Sequence, residues 1–289
     1  MPVCSKAMMR YYIVDAFTDR PFGGNPAGVV LLGEEDFPDE RLMTQVAAEL
    51  RYSETAFVRQ DGADEFTVRY FTPRSEVDLC GHATVASFVL LHKLGMAQGR
   101  CRYHTLAGDL EVEVGERVMM QMAMPRIVDT ITDNEQVYHA IGLESYRPSL
   151  PVQIAYSGLA DIMIQVPDVA TLNSLQPDME AVKAVTKAYN AVSFHVFALV
   201  NDGHTAHVRD FAPLYDIPEE SATGTANAAL THYLAVNGII PAMGDFSFMQ
   251  GEAMGRPSVV STRIAADGTL YVGGTAVVVA EGNIKTYQL

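Results

Sequence analysis

Cysteine is scarce in this chain. Cys4, Cys80 and Cys101 are the three thiols among 289 residues, an odd count with no CxxC spacing. That argues against a disulfide framework and against a structural zinc site, and it makes a cytoplasmic location the expectation. Positive charge is short as well. Twenty Lys and Arg stand against 35 Asp and Glu, giving a net charge of -15. Neither nucleic acid nor an anionic membrane surface is therefore expected as a partner. No apolar run approaches the roughly 20 residues that span a bilayer. The opening MPVCSKAMMR has no apolar core of the kind a signal peptide needs, so none is expected. Low-complexity segments are missing too.

The most informative absence is local. Between His82 and Leu91 there is no carboxylate, Lys or Arg, and between Thr225 and Asn237 only His232 can carry charge. Each stretch reads as a small-residue turn opening into a helix that ends at a glycine, Gly95 or Gly238. A helix uncharged all round has no face to give to solvent and must be wrapped by other structure. Its first turn still presents N–H groups without intrahelical acceptors. If that turn is also buried, a bound anion such as a carboxylate is the natural acceptor, and the helix dipole favours it.

What is present suffices for a large core: 48% of residues are hydrophobic and 19% charged. The run YYIVDAF, Tyr11 to Phe17, predicts a first strand, and TDRPFGGNPAG after it is turn chemistry. Val29 to Leu32 returns as a strand. Pro38 is expected to open a helix with an apolar stripe of Leu42, Val46 and Leu50. Thr55 to Arg59 and Phe66 to Phe71 should pair as strands, with Ser53 and Glu54 at the mouth of the first. Further strands are expected at 102–105, 109–114 and 118–124. In the second half, helices are expected at 134–142 and 168–190, and strands at 162–166, 192–200 and 270–279.

The two halves repeat. Val68-Arg69-Tyr70-Phe71-Thr72-Pro73 reads against Val208-Arg209-Asp210-Phe211-Ala212-Pro213, an offset of 208 − 68 = 140. Gly81 matches Gly224 and Gly95 matches Gly238, both at an offset of 143. This predicts a duplicated α/β fold, with domains at 10–125 and 126–289. Two copies of a helix N-terminus related by a pseudo-two-fold axis would then face one cleft between the domains.

The segments DAFTDRPFGGNPAGVV, SETAFV, FTPRSEVDLCGHATVA, FAPLYDIPEESATGTANAAL and QGEAMGRPS, in this order, cover most of the chain. On these residues it resembles the PhzF-like (phenazine biosynthesis) isomerases, relatives of diaminopimelate epimerase and proline racemase. The resemblance implies a duplicated diaminopimelate epimerase-like fold of class α/β (α+β). Each of its two pseudo-symmetric domains would be a mixed β-sheet or barrel wrapped around a central helix, and the C-terminal strand would return to the first domain. It also implies a homodimer and neither a metal nor an organic cofactor. The family's proposed base falls on Glu54, the histidine of its G-H motif on His82 and its acidic residue on Glu220, where this chain has Glu for Asp. The family serine falls on Thr225. Asn25, Ser53, Cys80, Gly81, Gly224 and Thr225 are the expected substrate-binding positions.

The function expected from these residues is isomerisation of a small anionic, carboxylate-bearing metabolite, with Glu54 moving a carbon-bound proton and His82 and Glu220 assisting. In the epimerase and racemase relatives a thiol at Cys80 pairs with one from the other domain, but here the second position is Thr223. A Cys80-dependent dehydratase or epimerase of the proline racemase type and a non-catalytic small-molecule binder are the alternatives.

Overall fold

The computed structural model describes residues 7–33 and 35–286, without the side chains of 7 and 286; Cys4 lies outside them. The chain divides into two compact units. One runs to Met120 and takes in the segment from Gly274 onward; the other is Gln121–Gly273.

In chain order the first unit contains β1 (Ala7–Ala16), β2 (Asn25–Gly33), α1 (Glu40–Leu50), β3 (Thr55–Gly62), β4 (Glu65–Phe71), the short β5 (Glu76–Val77), α2 (Gly81–Lys93), β6 (Gly99–Thr105), β7 (Gly108–Val114) and β8 (Val118–Gln121). The second contains β9 (Arg126–Thr130), α3 (Glu135–Ala140), β10 (Gln153–Tyr156), β11 (Ala160–Gln165), α4 (Val169–Ser174), α5 (Met179–Ala188), β12 (Ser193–Leu199), β13 (Ala206–Ala212), β14 (Ile217–Glu220), α6 (Gly224–Val236), β15 (Gly244–Gln250), β16 (Ser258–Ile264) and β17 (Leu270–Gly274). The last strand, β18 (Ala276–Thr286), belongs to the first unit, where it pairs antiparallel with β1.

The strand pairings show the duplication directly. In the first unit β1–β2 is antiparallel, β2–β3 parallel, β3–β4 antiparallel, β4–β6 parallel, and β6–β7 and β7–β8 antiparallel. The second unit repeats this as β10–β11, β11–β12, β12–β13, β13–β15, β15–β16 and β16–β17. A flanking antiparallel strand completes each series: β18 beside β1, and β9 beside β10. Parallel neighbours need a crossover, and the helices supply it. α1 joins β2 to β3, α4 and α5 join β11 to β12, and α2 and α6 make the second crossover of each unit.

α2 and α6 are the buried axes. α2 packs against β1, β2, β3, β7 and β18, and every residue from His82 to Leu91 is buried. α6 packs against β9, β10, β11 and β16, burying Gly224, Ala226 to Thr231, Tyr233 and Leu234. Around α2, Phe88 makes edge-to-face contacts with Phe66 and Tyr103. One salt bridge recurs at the same place in both units. Arg69 is bidentate to Glu76, and Arg209, at the 140-residue offset, is bidentate to Glu219.

Several boundaries differ from the sequence expectation. Pro38 precedes the helix instead of opening it: Asp39 is the N-cap of α1 and accepts the Leu42 N–H at 2.8 Å. The helix expected over 168–190 is two, because Pro177 cannot continue one; Asp168 and Asp178 cap the two pieces. The late strand expected over 270–279 is also two, separated at Thr275, and the strand expected over 118–124 ends at Gln121. The unit boundary near residue 120 and the return of the C-terminal segment compare with an expected split at 125/126.

Candidate active site

In the first unit the site is built where β3 begins and α2 begins. Glu54 directly precedes β3, and its carbonyl accepts the Gly28 N–H from the parallel strand β2. Cys80 is the N-cap of α2 in an extended conformation, and His82 lies in the first turn. His82 Nε2 is 3.4 Å from Glu54 Oε2 and 3.4 Å from Ser53 Oγ. Cys80 Sγ lies alongside the ring, 3.4 Å from Nδ1 and 3.9 Å from Nε2. Cys80 and His82 are buried, while the Glu54 side chain keeps 20% of its exposure.

Burial pulls the His82 pKa below its ordinary value, against the opposing pull of the Glu54 charge. The ring is therefore neutral near pH 7, with one donor and one acceptor nitrogen. A carboxylate can only accept, so the ring proton is assigned to Nε2, toward Glu54, which leaves Nδ1 as the acceptor nitrogen. Contacts of 3.4 Å are longer than a made hydrogen bond, and catalytic contacts commonly tighten only when substrate arrives.

Asn25 opens β2 and is buried. The turn before it is held by Asp15, whose Oδ2 accepts the Phe22 N–H at 2.8 Å. Gly24 has φ +64, and a Cβ there would collide with the Ala16 carbonyl oxygen. By contrast, a Cβ on Gly81 would meet nothing within 4 Å. The backbone at the start of α2 thus faces open space.

In the second unit Thr223 is the N-cap of α6, with Gly224 buried and Thr225 half-buried in the first turn. Glu220 ends β14 and is half-buried. Gln250 ties this turn together: its Oε1 accepts from the Thr223 N–H (3.1 Å) and Asn227 Nδ2 (2.8 Å), and its Nε2 donates to the Glu220 carbonyl (2.8 Å) and Thr223 Oγ1 (3.1 Å). Gly251 after it, at φ +79, passes too close to the Arg256 and Ser221 carbonyls for any side chain.

A chain of carboxyls and hydroxyls runs inward from Glu220. Thr223 Oγ1 lies 2.9 Å from Glu220 Oε2 and 3.1 Å from Asp210 Oδ2. Ser193 Oγ lies 2.7 Å from Asp210 Oδ1 and 2.9 Å from Asp161 Oδ1. His195 Nδ1 is 2.9 Å from Asp210 Oδ1. A hydroxyl has one proton to donate, so Ser193 cannot donate to both aspartates; one carboxyl must carry a proton of its own. Burial and then the neighbouring Asp210 push the Asp161 carboxyl well above the usual carboxylate range. Its Oδ2 and His195 Nε2 have no hydrogen-bond partner among the described residues.

The structure thus gathers Ser53, Glu54, Cys80, Gly81 and His82 in one unit and Glu220, Gly224 and Thr225 in the other. The sequence reading did not find Asp161, Ser193, His195, Asp210 or Gln250 as site-associated residues. One signal was visible: Asp210 replaces the Tyr70 of the first repeat inside an otherwise matching VRxF motif. In the first unit Tyr70 bonds Thr84 instead.

Two units with the same pairing scheme, each closed around a buried helix, define a duplicated diaminopimelate epimerase-like fold. The phenazine biosynthesis-like protein family matches residues 14–282, and the chain belongs to it. An uncharacterized isomerase of Deinococcus radiodurans is 34% identical, covering 95% of this chain and 94% of the relative. The trans-2,3-dihydro-3-hydroxyanthranilate isomerase of Pseudomonas chlororaphis is 28% identical, covering 89% and 90%. The crystal structure of a PhzF-family phenazine biosynthesis protein from Bacillus anthracis has a TM-score of 0.86 at 28% identity, covering 96% of this chain and 99% of that one. The chain is an isomerase of this family. Among the described residues no helix is long and apolar enough to cross a membrane.

Proposed function

We propose that this isomerase moves a carbon-bound proton on a small carboxylate-bearing metabolite, without a cofactor, and that Glu54 is the general base. The observation that carries the reading is the convergence of Glu54, His82 and Cys80 on the first turn of α2, a helix with no side-chain cap. The surface helices α1, α4 and α5 each have an Asp side chain on their first N–H groups. α2 and α6 do not. Their donors are thus placed for an anion from outside the chain, which the dipole stabilises by about 0.3–1 kcal/mol at an exposed helix end and more when partly buried.

In the proposed reaction Glu54 accepts the proton from carbon and returns it at the new position. Neutral His82, donating from Nε2, orients that carboxylate. The substrate carboxylate and the charge that develops beside it are held by backbone N–H groups at the start of α2, beside Glu54. Glu220 is assigned to assisting proton relay or orientation. The Pseudomonas relative's substrate is an anthranilate derivative and so carries a carboxylate, which supports the substrate class. Glu220 for Asp and Thr225 for Ser change the reach of two site groups, so the substrate itself is a separate question. A homodimer in the cytoplasm completes the reading.

Glu54→Gln keeps the shape and removes the proton acceptor. Turnover should fall by at least about 100-fold, the usual scale of general-base loss, with the melting temperature unchanged. One observation favours a second reading, a thiol base: Cys80 Sγ lies 3.4 Å from His82 Nδ1. Near-wild-type turnover in Glu54→Gln together with loss in Cys80→Ser would transfer the base role to the thiol.

A further inference from the structure

We propose that Glu54, Cys80 and His82 form a binding site for a thiophilic divalent cation of the Zn²⁺ type, and that its occupation switches the isomerase off. The three offer one carboxylate oxygen, one sulfur and one ring nitrogen, all within 4.8 Å of one another. Among the described residues this is the one group of three or more such side chains that meets so closely.

Zn²⁺ takes oxygen, nitrogen and sulfur donors at about 2.0–2.3 Å, which on a tetrahedron sets neighbouring donors roughly 3.4–3.6 Å apart. His82 Nε2 to Glu54 Oε2, at 3.4 Å, is already such an edge. Cys80 Sγ to the same nitrogen is 3.9 Å and needs only a small turn of the cysteine side chain. Two of the donors are fixed by one helix turn, since Cys80 and His82 flank Gly81 at the start of α2. Both are buried, whereas Glu54 is partly open and gives the side of entry. Three protein donors leave a fourth position for water, the pattern of an open site. The step needs no oxidant or reductant: the Cys80 thiol loses its proton to solvent, the His82 proton moves from Nε2 to Nδ1, and the metal bonds to sulfur and to the freed Nε2.

Binding of the cation stands on this geometry alone. The inhibition rests on Glu54 being the base, because a carboxylate held by a metal cannot accept a proton from carbon.

The test is titration of Co²⁺, an absorbing stand-in for Zn²⁺, into the full chelator-treated chain. The expected result is one Co²⁺ per chain with a sulfur-to-cobalt charge-transfer band in the near ultraviolet. Cys80→Ala and Cys80→Ser should both lose that band. His82→Ala and Glu54→Gln should weaken binding by more than about tenfold, the least that loss of even an outer partner produces. Circular-dichroism melts show that each variant is folded; added Zn²⁺ should raise the wild-type melting temperature but not that of Cys80→Ala. Absence of the band in wild type, or its persistence in both Cys80 variants, overturns the site. Zn²⁺ should also stop turnover, reversibly with chelator. Tight binding without inhibition overturns the switch and the Glu54 assignment while leaving the site standing. Failed binding beside a strong Glu54→Gln defect overturns the site alone.

Discussion

Ser193 has one proton to give and two carboxylates within reach, at 2.7 and 2.9 Å. Burial and the neighbouring Asp210 hold the Asp161 carboxyl above the usual carboxylate range, and this has a consequence for stability. A carboxyl whose pKa is raised in the folded state keeps its proton where the unfolded chain has lost it, so stability declines as pH rises above about 4 toward the folded value. Asn at 161 imitates the protonated acid and carries no such dependence. The stability of Asp161→Asn relative to wild type should therefore climb as pH rises above about 4, measured by denaturant midpoints; parallel curves would place the proton elsewhere. Gln250 makes a second prediction. It is almost fully buried and holds the α6 turn by four bonds. Gln250→Ala should cost about 1–3 kcal/mol for each donor left without a partner. By letting Glu220 shift, it should also lower kcat by up to about 100-fold. A stability loss with unchanged kcat would make Gln250 purely structural. None of these positions stood out in the sequence, since a buried Asp and a surface Asp are the same letter; only the Tyr70-to-Asp210 exchange inside the repeat marked one of them.

Among the elements, the two buried helices were the most legible. Their lack of charge over ten or more residues predicted burial on all sides, and ten consecutive residues of α2 are buried. Removing Phe88, which packs on Phe66 and Tyr103, should cost about 3–5 kcal/mol on replacement by Ala. The capped helices behave differently: Asp178→Ala at the start of α5 removes two N–H acceptors and should cost about 1 kcal/mol. Equal losses in the two variants, read from urea unfolding, would contradict this division into buried axis and surface helix. Where the sequence reading placed boundaries wrongly, local chemistry decided. Pro177 breaks what hydrophobic periodicity alone joins, and a cap one residue after Pro38 sets where α1 starts.

For the whole molecule, duplication was readable because two offsets, 140 and 143, are held across motifs that pack the same way in each unit. The Arg69–Glu76 and Arg209–Glu219 pairs lie at those two offsets. The flanking strands were not readable as equivalents. β18 follows its series in the chain while β9 precedes its own, and nothing in their residues signals that they complete the same edge. The units diverge at the proposed site. Where the first has Cys80 and His82 at its helix start, the second has Thr223 and Thr225 at the same offset, backed by a chain of acids. At the centre of the proposed function is a carbon-bound proton that passes through Glu54. The most direct test incubates wild type and Glu54→Gln in D₂O with carboxylate-bearing metabolites and follows substrate and product C–H signals by NMR. The account predicts that wild type exchanges a carbon-bound proton of the compound it converts, and that folded Glu54→Gln does so at least about 100-fold more slowly. Exchange at the wild-type rate in Glu54→Gln would contradict it.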